Sequence, residues 1–244
     1  MIRDTWTMAR KEWLEIIDQF IRFKRGGWSV LVVILFLGIF VPLQLGPGWA
    51  NLSLMFFYWP FLTASMTSTI VSDAVAGERE RHTLETLLST RLPDTSILLG
   101  KLLAAVLYGY AFALTNLLIG YITVKVRFGP IAESMSLPRL AALFVLIGAA
   151  SSCIAGVGVS VSLRAATVRQ AQQTFGIVLL VLMMTPLVAA QFLPASWRQD
   201  LAVRATALGV EGIAWRASAV LLLVAVTLLA IAVRRFKRGE LVLE

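Results

Sequence analysis

The sequence predicts an all-α protein that crosses a membrane six times. Hydrophobic residues make up 58% of the 244 residues and charged residues only 15%, whereas a soluble domain carries roughly 25% charged residues. Six apolar stretches approach the roughly 20 residues that a spanning helix needs. None of them holds a Lys, Arg, Asp or Glu in its middle. The predicted spans are residues 28–45, 52–72, 102–124, 140–163, 175–193 and 215–233.

Residues 1–27 are predicted to form an amphipathic helix that precedes the six-span domain, residues 28–244. At 100° per residue the charged residues Lys11, Glu12 and Glu15 fall on one side of this helix. An apolar side rich in tryptophan suits a helix that lies in the membrane interface. A plain lead-in without a partner and a helix that grips a cytoplasmic subunit both fit this pattern. The residues predicted to face the interface are Trp6, Trp13, Ile16, Ile17 and Phe20.

The charge distribution predicts the orientation of the chain. The net charge is +8, and most of the 22 Lys and Arg residues lie in segments that six spans would place on one side. Basic residues in short loops stay on the cytoplasmic side, so we expect a multi-pass plasma-membrane protein with both termini in the cytoplasm. The basic balance therefore indicates contact with anionic membrane lipid, and no nucleic-acid partner is predicted.

The residue inventory argues against an enzyme. With one Cys and one His, the chain cannot form a zinc cluster of Cys and His ligands. The pair Gly100-Lys101 does not complete a phosphate-binding loop, because that motif needs Gly at position 95 and Ser or Thr at position 102. Those positions hold Thr95 and Leu102. No cofactor is therefore expected in this chain, and any energy source should lie in another one.

Residues 73–101 form a charged segment between the second and third predicted spans. Alternating charges at positions 78–81 precede an apolar edge of Leu84, Leu87 and Leu88, while Glu85 points elsewhere. We expect a short amphipathic helix between Gly77 and Pro93, on the cytoplasmic side, that seats in a groove of a soluble partner. The alternative is a solvated loop whose ion pairs contribute only about 0–1 kcal/mol each.

Polar side chains in the spans are candidates for lining a transport path. They lie on one face of the second span, with one amide in the third. The alternative is that the hydroxyls bond to carbonyls of their own helix or hold two spans together. The outer loop 194–214 is longer than a turn needs and could contain a short interfacial helix. The candidate path residues are Tyr58, Ser65, Ser68, Thr69, Ser72 and Asn116.

Residues 77–101 resemble the segment that joins the second and third spans of ABC type-2 transporter permeases. That segment typically reads Gly-Glu, a basic residue, Glu, a basic residue and Gly-Thr-Leu-Glu, followed by Leu-Leu, Pro and Ile-Leu-Leu-Gly-Lys. The Lys-Glu-Trp sequence at 11–13 and the number of spans agree with the family. Two positions depart from the pattern: His82 replaces a usual Gly, and Arg91 replaces a usual Pro.

The resemblance implies the membrane subunit of an ABC exporter. Two such chains, identical or related, would pair, and separate ATP-binding subunits that hold ATP and Mg would dock on a coupling helix in the 73–101 loop. Residues 194–214 would form re-entrant helices. The residues implied in coupling are Gly77, Glu78, Arg79, Glu80, Arg81, His82, Thr83, Leu84, Glu85, Leu87 and Leu88.

Two other function classes remain open on the residues alone. A membrane anchor or assembly factor would use the same charged segment to recruit a cytoplasmic protein without moving any substrate. An ion-coupled carrier is disfavoured, because such carriers keep ionisable residues within their spans.

Overall fold

The computed structural model describes residues 2–21, 27–50, 52–83, 92–129 and 136–235, and this part of the chain contains helices and turns but no strand. A π-helical turn, Phe36–Phe40, links α2 to α3, and a 3-10 turn, Gly46–Ala50, follows α3. The α-helices are α1 (Ile2–Ile21), α2 (Gly27–Leu35), α3 (Val41–Leu45), α4 (Leu52–Glu80), α5 (Asp94–Phe128), α6 (Leu137–Ser162), α7 (Val168–Phe192) and α8 (Ala195–Arg235).

Four helical stretches in the described residues are long and apolar enough to cross a membrane. They are Trp28–Ala50, Asp94–Phe128, Leu137–Ser162 and Val203–Arg234. They correspond to the first, third, fourth and sixth predicted spans. Helices α4 and α7 occupy the second and fifth predicted spans but are not among the four, so six spans stay a prediction.

Helix α6 is the centre of the helix bundle. Its two most extensive interfaces are with α4 on one side and α8 on the other. Small residues on α6 permit the close approach: a Cβ at Gly156 would lie 2.8 Å from the Cβ of Leu228 in α8. Trp59 of α4, which is 1% exposed, fills the core near Trp49. The packing of α4 on α6 therefore sets the position of α4, including its C-terminal end.

Helix α1 packs along α5. Met8, Ala9 and Ile16 are buried, and Glu12, predicted on the polar side, lies between them with only 16% of its side chain exposed. Trp6, predicted on the apolar side, is 60% exposed. Glu12 can lie on this face because it contacts a buried cation on α5, as described below.

The structure describes only some of the remaining side chains predicted for the interface side of α1. Trp13 is half-buried and Ile17 is 37% exposed. The side chain of Phe20 lies outside the described residues. Whether α1 lies in the membrane interface therefore stays a prediction.

Helix α8 contains a break that divides it into two parts. Gly209 has φ +66, in the left-handed region that glycine adopts most readily. Arg139 Nε, near the start of α6, lies 2.7 Å from Glu211 Oε1 just after the break. The predicted outer loop 194–214 is thus largely helical. Its re-entrant character stays a prediction.

Candidate functional site at the base of α4

The alternating charges at residues 78–81, which we call the strip, lie at the C-terminal end of α4. We call residues 72–83 the α4 base. Gly77 does not mark a boundary, contrary to the prediction, because α4 continues through it to Glu80. A glycine inside a helix costs only about 1 kcal/mol, and the neighbouring Ala74 and Ala76 are buried, so tertiary packing supports the helix at this position.

Helix α4 ends in a Schellman turn centred on His82. The His82 N–H donates to the Arg79 carbonyl (3.1 Å), and the Thr83 N–H donates to the Glu78 carbonyl (2.9 Å). His82 has φ +56, the left-handed conformation that the residue after a helix end commonly adopts and that glycine favours. The substitution of His for the family's usual Gly therefore leaves the turn in place.

Replacing His82 by glycine is expected to raise the free energy of unfolding. A side chain in the left-handed region costs roughly 1–2 kcal/mol, which glycine does not incur. Thermal unfolding of the purified protein in detergent measures the effect. Arg164→Gly is the matched control, because Arg164 is also an exposed residue just after a helix end and does not have a positive φ. An equal effect of the two changes would show that His82 is not strained.

Two residues of the strip hold the turn between α6 and α7. The Arg79 guanidinium donates to the carbonyls of Ala165 (3.1 Å) and Leu163 (3.3 Å). The Glu80 carboxylate accepts from the Val168 N–H (3.0 Å), at the first residue of α7. A cation at a helix C-terminus and an anion at a helix N-terminus are both favourable. The α4 base is thereby tied to two helices more than eighty residues away in sequence.

Ser162 adds a buried link between α6 and the α4 base. Its hydroxyl accepts from the Ala76 N–H (3.0 Å) and donates to the Ser72 carbonyl (3.1 Å). Those two backbone groups are four residues apart on α4, so the hydroxyl bridges one turn of that helix. The contact fixes the α4 base against the end of α6.

A third set of contacts joins the α4 base to α1 and α5. The Lys101 ammonium lies 2.8 Å from Glu78 Oε1 and 2.9 Å from Glu12 Oε1. Only 5% of the Lys101 side chain is exposed, and 13% of the Glu78 side chain. We call Glu12, Glu78 and Lys101 the buried ion triad. Thr83 also donates a hydrogen bond to Glu78 through its hydroxyl.

The protonation state of Glu78 follows from these neighbours. Partial burial raises the pKa of the Glu78 carboxyl, but the Lys101 ammonium, the Thr83 hydroxyl and the Lys11 ammonium together lower it by more, so the pKa lies below its ordinary value of 4.5. Glu78 is therefore ionised at neutral pH. Because the pKa is lowered by folding, the stabilisation is present above pH 4.5 and is lost as the pH falls through the lowered pKa.

A close helix crossing brings α1 to the buried ion triad. A Cβ at Gly100 of α5 would lie 2.6 Å from the Cβ of Met8 and 2.9 Å from the Thr5 carbonyl oxygen. These distances are too short for any other residue type without movement of α1. Gly100 therefore lets α1 approach, and the adjacent Lys101 reaches Glu12.

The last charge of the strip folds back on its own helix. The Arg81 guanidinium lies 2.9 Å from the Asp73 carboxylate, with half of the Arg81 side chain exposed. Such a surface pair contributes only about 0–1 kcal/mol. The residues predicted to follow, Leu84, Glu85, Leu87 and Leu88, lie outside the described residues.

An apolar cavity of about 520 Å³ lies beside the bundle centre. Helices α4, α6, α7 and α8 all contribute to its wall. The largest contribution from α4 comes from three phenylalanines and a proline, and the single cysteine lies on the α6 side. Its walls include Phe56, Phe61, Leu146, Cys153, Leu179 and Ala217. The cavity is suited to an apolar group.

The comparison with known proteins assigns the family. The sequence model for ABC-2 family transporter proteins matches residues 8–241, nearly the whole chain, including most of α1, the α4 base and α8. The chain belongs to the ABC-2 transporter family. It is therefore a multi-pass membrane permease with a role in transport, of a kind that associates with an ATP-binding subunit. No curated protein matches the chain.

The hydroxyls predicted to line a path in this permease bond mainly to their own helix. Ser65 donates to the Phe61 carbonyl (3.0 Å), and Ser68 and Thr69 donate to carbonyls three residues earlier. Ser72 is buried, and its carbonyl accepts from Ser162. These bonds match the alternative in which the hydroxyls serve the helices themselves. A path along this face stays a prediction.

The other two predicted path residues also lie apart from the cavity wall. Tyr58 is half-buried and stacks edge-on against Trp59. Asn116 is fully buried, and its amide donates to the Phe112 carbonyl (2.9 Å). Among the described residues its side-chain oxygen has no hydrogen-bond partner.

Sequence reasoning missed the partners of the strip in the permease. The charges of residues 73–101 predict that Lys101 is solvated, although it shares a helical face with Ile97, Leu98, Ala104 and Ala105, all buried. That i, i+3, i+4 spacing was the available signal. Ser162 carries no such signal, because a serine near a helix end is common and its partners are distant in sequence.

Proposed function

We propose that this permease forms the transmembrane path of an ABC exporter and is driven by a separate ATP-binding subunit. ATP and Mg would bind to that subunit, which docks on the cytoplasmic loop 73–101, with residues 84–88 as the coupling helix. Two permease chains, identical or related, would complete the path. Six spans with both termini in the cytoplasm would put this loop on the side of the ATP-binding subunit.

The observation that carries the proposal is the connectivity of the α4 base. The chain leaves α4 at Thr83 and enters the segment that resembles the coupling region. Within six residues before that point, contacts reach α5, the end of α6 and the start of α7, and Lys101 of α5 extends them to Glu12 of α1. A displacement of the loop would therefore be transmitted to most of the bundle rather than to one helix.

The apolar cavity supports an amphiphilic or lipid-like cargo. A fixed charge is absent from the residues that line it, and a small ion would have to lose its hydration without compensation there. An acyl chain or aromatic group instead gains from burial in such a wall. The cargo class is thus part of the proposal.

The second candidate function is a membrane anchor that recruits a cytoplasmic protein without transport. It is favoured by the same α4 base, which would present a rigid docking surface in either case. The two candidates differ only in whether substrate moves when ATP is hydrolysed.

Reconstitution in vesicles separates the candidates. The permease would be purified with the ATP-binding subunit that accompanies it, and vesicles would be loaded with a fluorescent phospholipid or a fluorescent amphiphilic dye. We expect ATP to redistribute at least one probe across the bilayer. The control uses an ATP analogue that is not hydrolysed. Stable subunit binding without redistribution of either probe would favour the anchor.

A further inference from the structure

The buried ion triad connects two parts of the chain that otherwise share little contact. Within the described residues, helix α1 packs along α5 and has no extensive interface with α4. Glu12 nevertheless meets the α4 base through Lys101, which is within 2.9 Å of Glu12 and 2.8 Å of Glu78. We propose that Lys101 is a positioning residue that makes α1 and the α4 base move as one body. This inference rests on the proposed docking of an ATP-binding subunit at the loop.

The burial of the triad makes its geometry hard to change. All three side chains are at most 16% exposed. A charge that leaves its partner in such a place loses the attraction without regaining full hydration. A movement of the α4 base that left α1 behind would separate Glu78 from the shared ammonium or draw Lys101 away from Glu12. Joint movement of α1 and the α4 base keeps both ion pairs intact.

The close crossing at Gly100 also holds α1 against α5. Met8 and the Thr5 carbonyl press against the position next to Lys101, and Ala9 and Ile16 are buried on the same face of α1. Apolar packing thus fixes α1 to α5, and the triad extends that attachment to α4. The amphipathic helix becomes part of the surface on which the loop is presented.

The charge balance of the triad predicts what removal of Lys101 does. One ammonium serves two carboxylates, so Lys101→Met leaves Glu12 and Glu78 opposite each other without a cation between them. The two like charges repel, and α1 is no longer held to the α4 base. This change does not alter the apolar edge predicted for Leu84, Leu87 and Leu88.

The first test compares two variants in the complex with the ATP-binding subunit. Lys101→Met is expected to retain the subunit and the KM for ATP, while transport per ATP hydrolysed falls roughly two- to thirtyfold. The conservative variant Lys101→Arg keeps a cation between Glu12 and Glu78 and is expected to retain most of the transport per ATP. Wild-type transport per ATP in Lys101→Met would overturn the inference. So would a folded Lys101→Arg variant as impaired as Lys101→Met.

A second measurement does not depend on whether Lys101→Met folds. Spin labels at Arg10 and His82, both exposed, report the distance between α1 and the α4 base in a Cys153→Ala background. We expect one distance distribution with and without trapped ATP. A new distance on trapping would overturn the inference. A wild-type chain that retains no ATP-binding subunit would instead contradict the proposed function, which tells the two failures apart.

Discussion

A permease in which Leu84 and Leu88 are both replaced by aspartate is expected to lose its ATP-binding subunit during purification. The two leucines form the apolar edge predicted for the coupling helix, and a carboxylate placed in an apolar groove is strongly unfavourable. Loss of an interface hot spot costs at least about 2 kcal/mol, or roughly 30-fold in affinity. Co-purification from detergent, followed by measurement of ATP hydrolysis, detects the release.

The matched control replaces the same two leucines by methionine. Methionine keeps the apolar character and approximate volume, so the subunit should remain bound. Normal co-purification and transport in the aspartate variant would remove the leucine edge from the docking surface. Parallel measurement of thermal unfolding of the permease alone shows whether the aspartates act on docking or on the fold.

Gly100→Ala is expected to destabilise the permease and displace α1, although alanine is normally the better helix residue. The added Cβ would lie 2.6 Å from Met8 Cβ and 2.9 Å from the backbone oxygen of Thr5. Neither atom is the free end of a flexible side chain, so the helices must separate. Overpacking of this kind costs typically 1–3 kcal/mol, and Lys101 would lose part of its contact with Glu12.

Gly176→Ala is the control, because we do not expect it to lower the free energy of unfolding. Gly176 lies in α7, and no described atom would be within 4 Å of its added Cβ. Alanine there should leave the free energy of unfolding unchanged or raise it by up to about 1 kcal/mol. Thermal unfolding in detergent and protease accessibility of α1 measure both variants. Equal behaviour of the two would show that the crossing at Gly100 is not tight.

The helical architecture was accessible to sequence reasoning because it depends on local pattern. Long apolar runs without charge predict helices through the bilayer, and described helices occupy all six predicted positions. The residues at which the helices begin and end were harder to predict from the sequence. Charged residues at 94–101 read as a solvated connection, yet α5 begins at Asp94, because Lys101 is neutralised inside the bundle by carboxylates of other helices.

The contacts of the α4 base depend on pairs that sequence reasoning could not assign. Arg79 bonds to Ala165, and Lys101 to Glu12, across more than eighty residues. A single sequence shows alternating charges at 78–81 but not which way each points. The left-handed turn at His82 was hidden for a related reason: histidine gives no sign of positive φ, whereas the glycine typical of the family would have.

The neutralised charges of the strip have a consequence for how a partner would bind. Each of the residues at 78–81 is already engaged with a group of the permease itself. Added salt weakens attraction between exposed charges across an interface and leaves apolar contact largely unaffected. A subunit held by the leucine edge would therefore stay attached at high ionic strength, in buffers that remove proteins held only by surface charge.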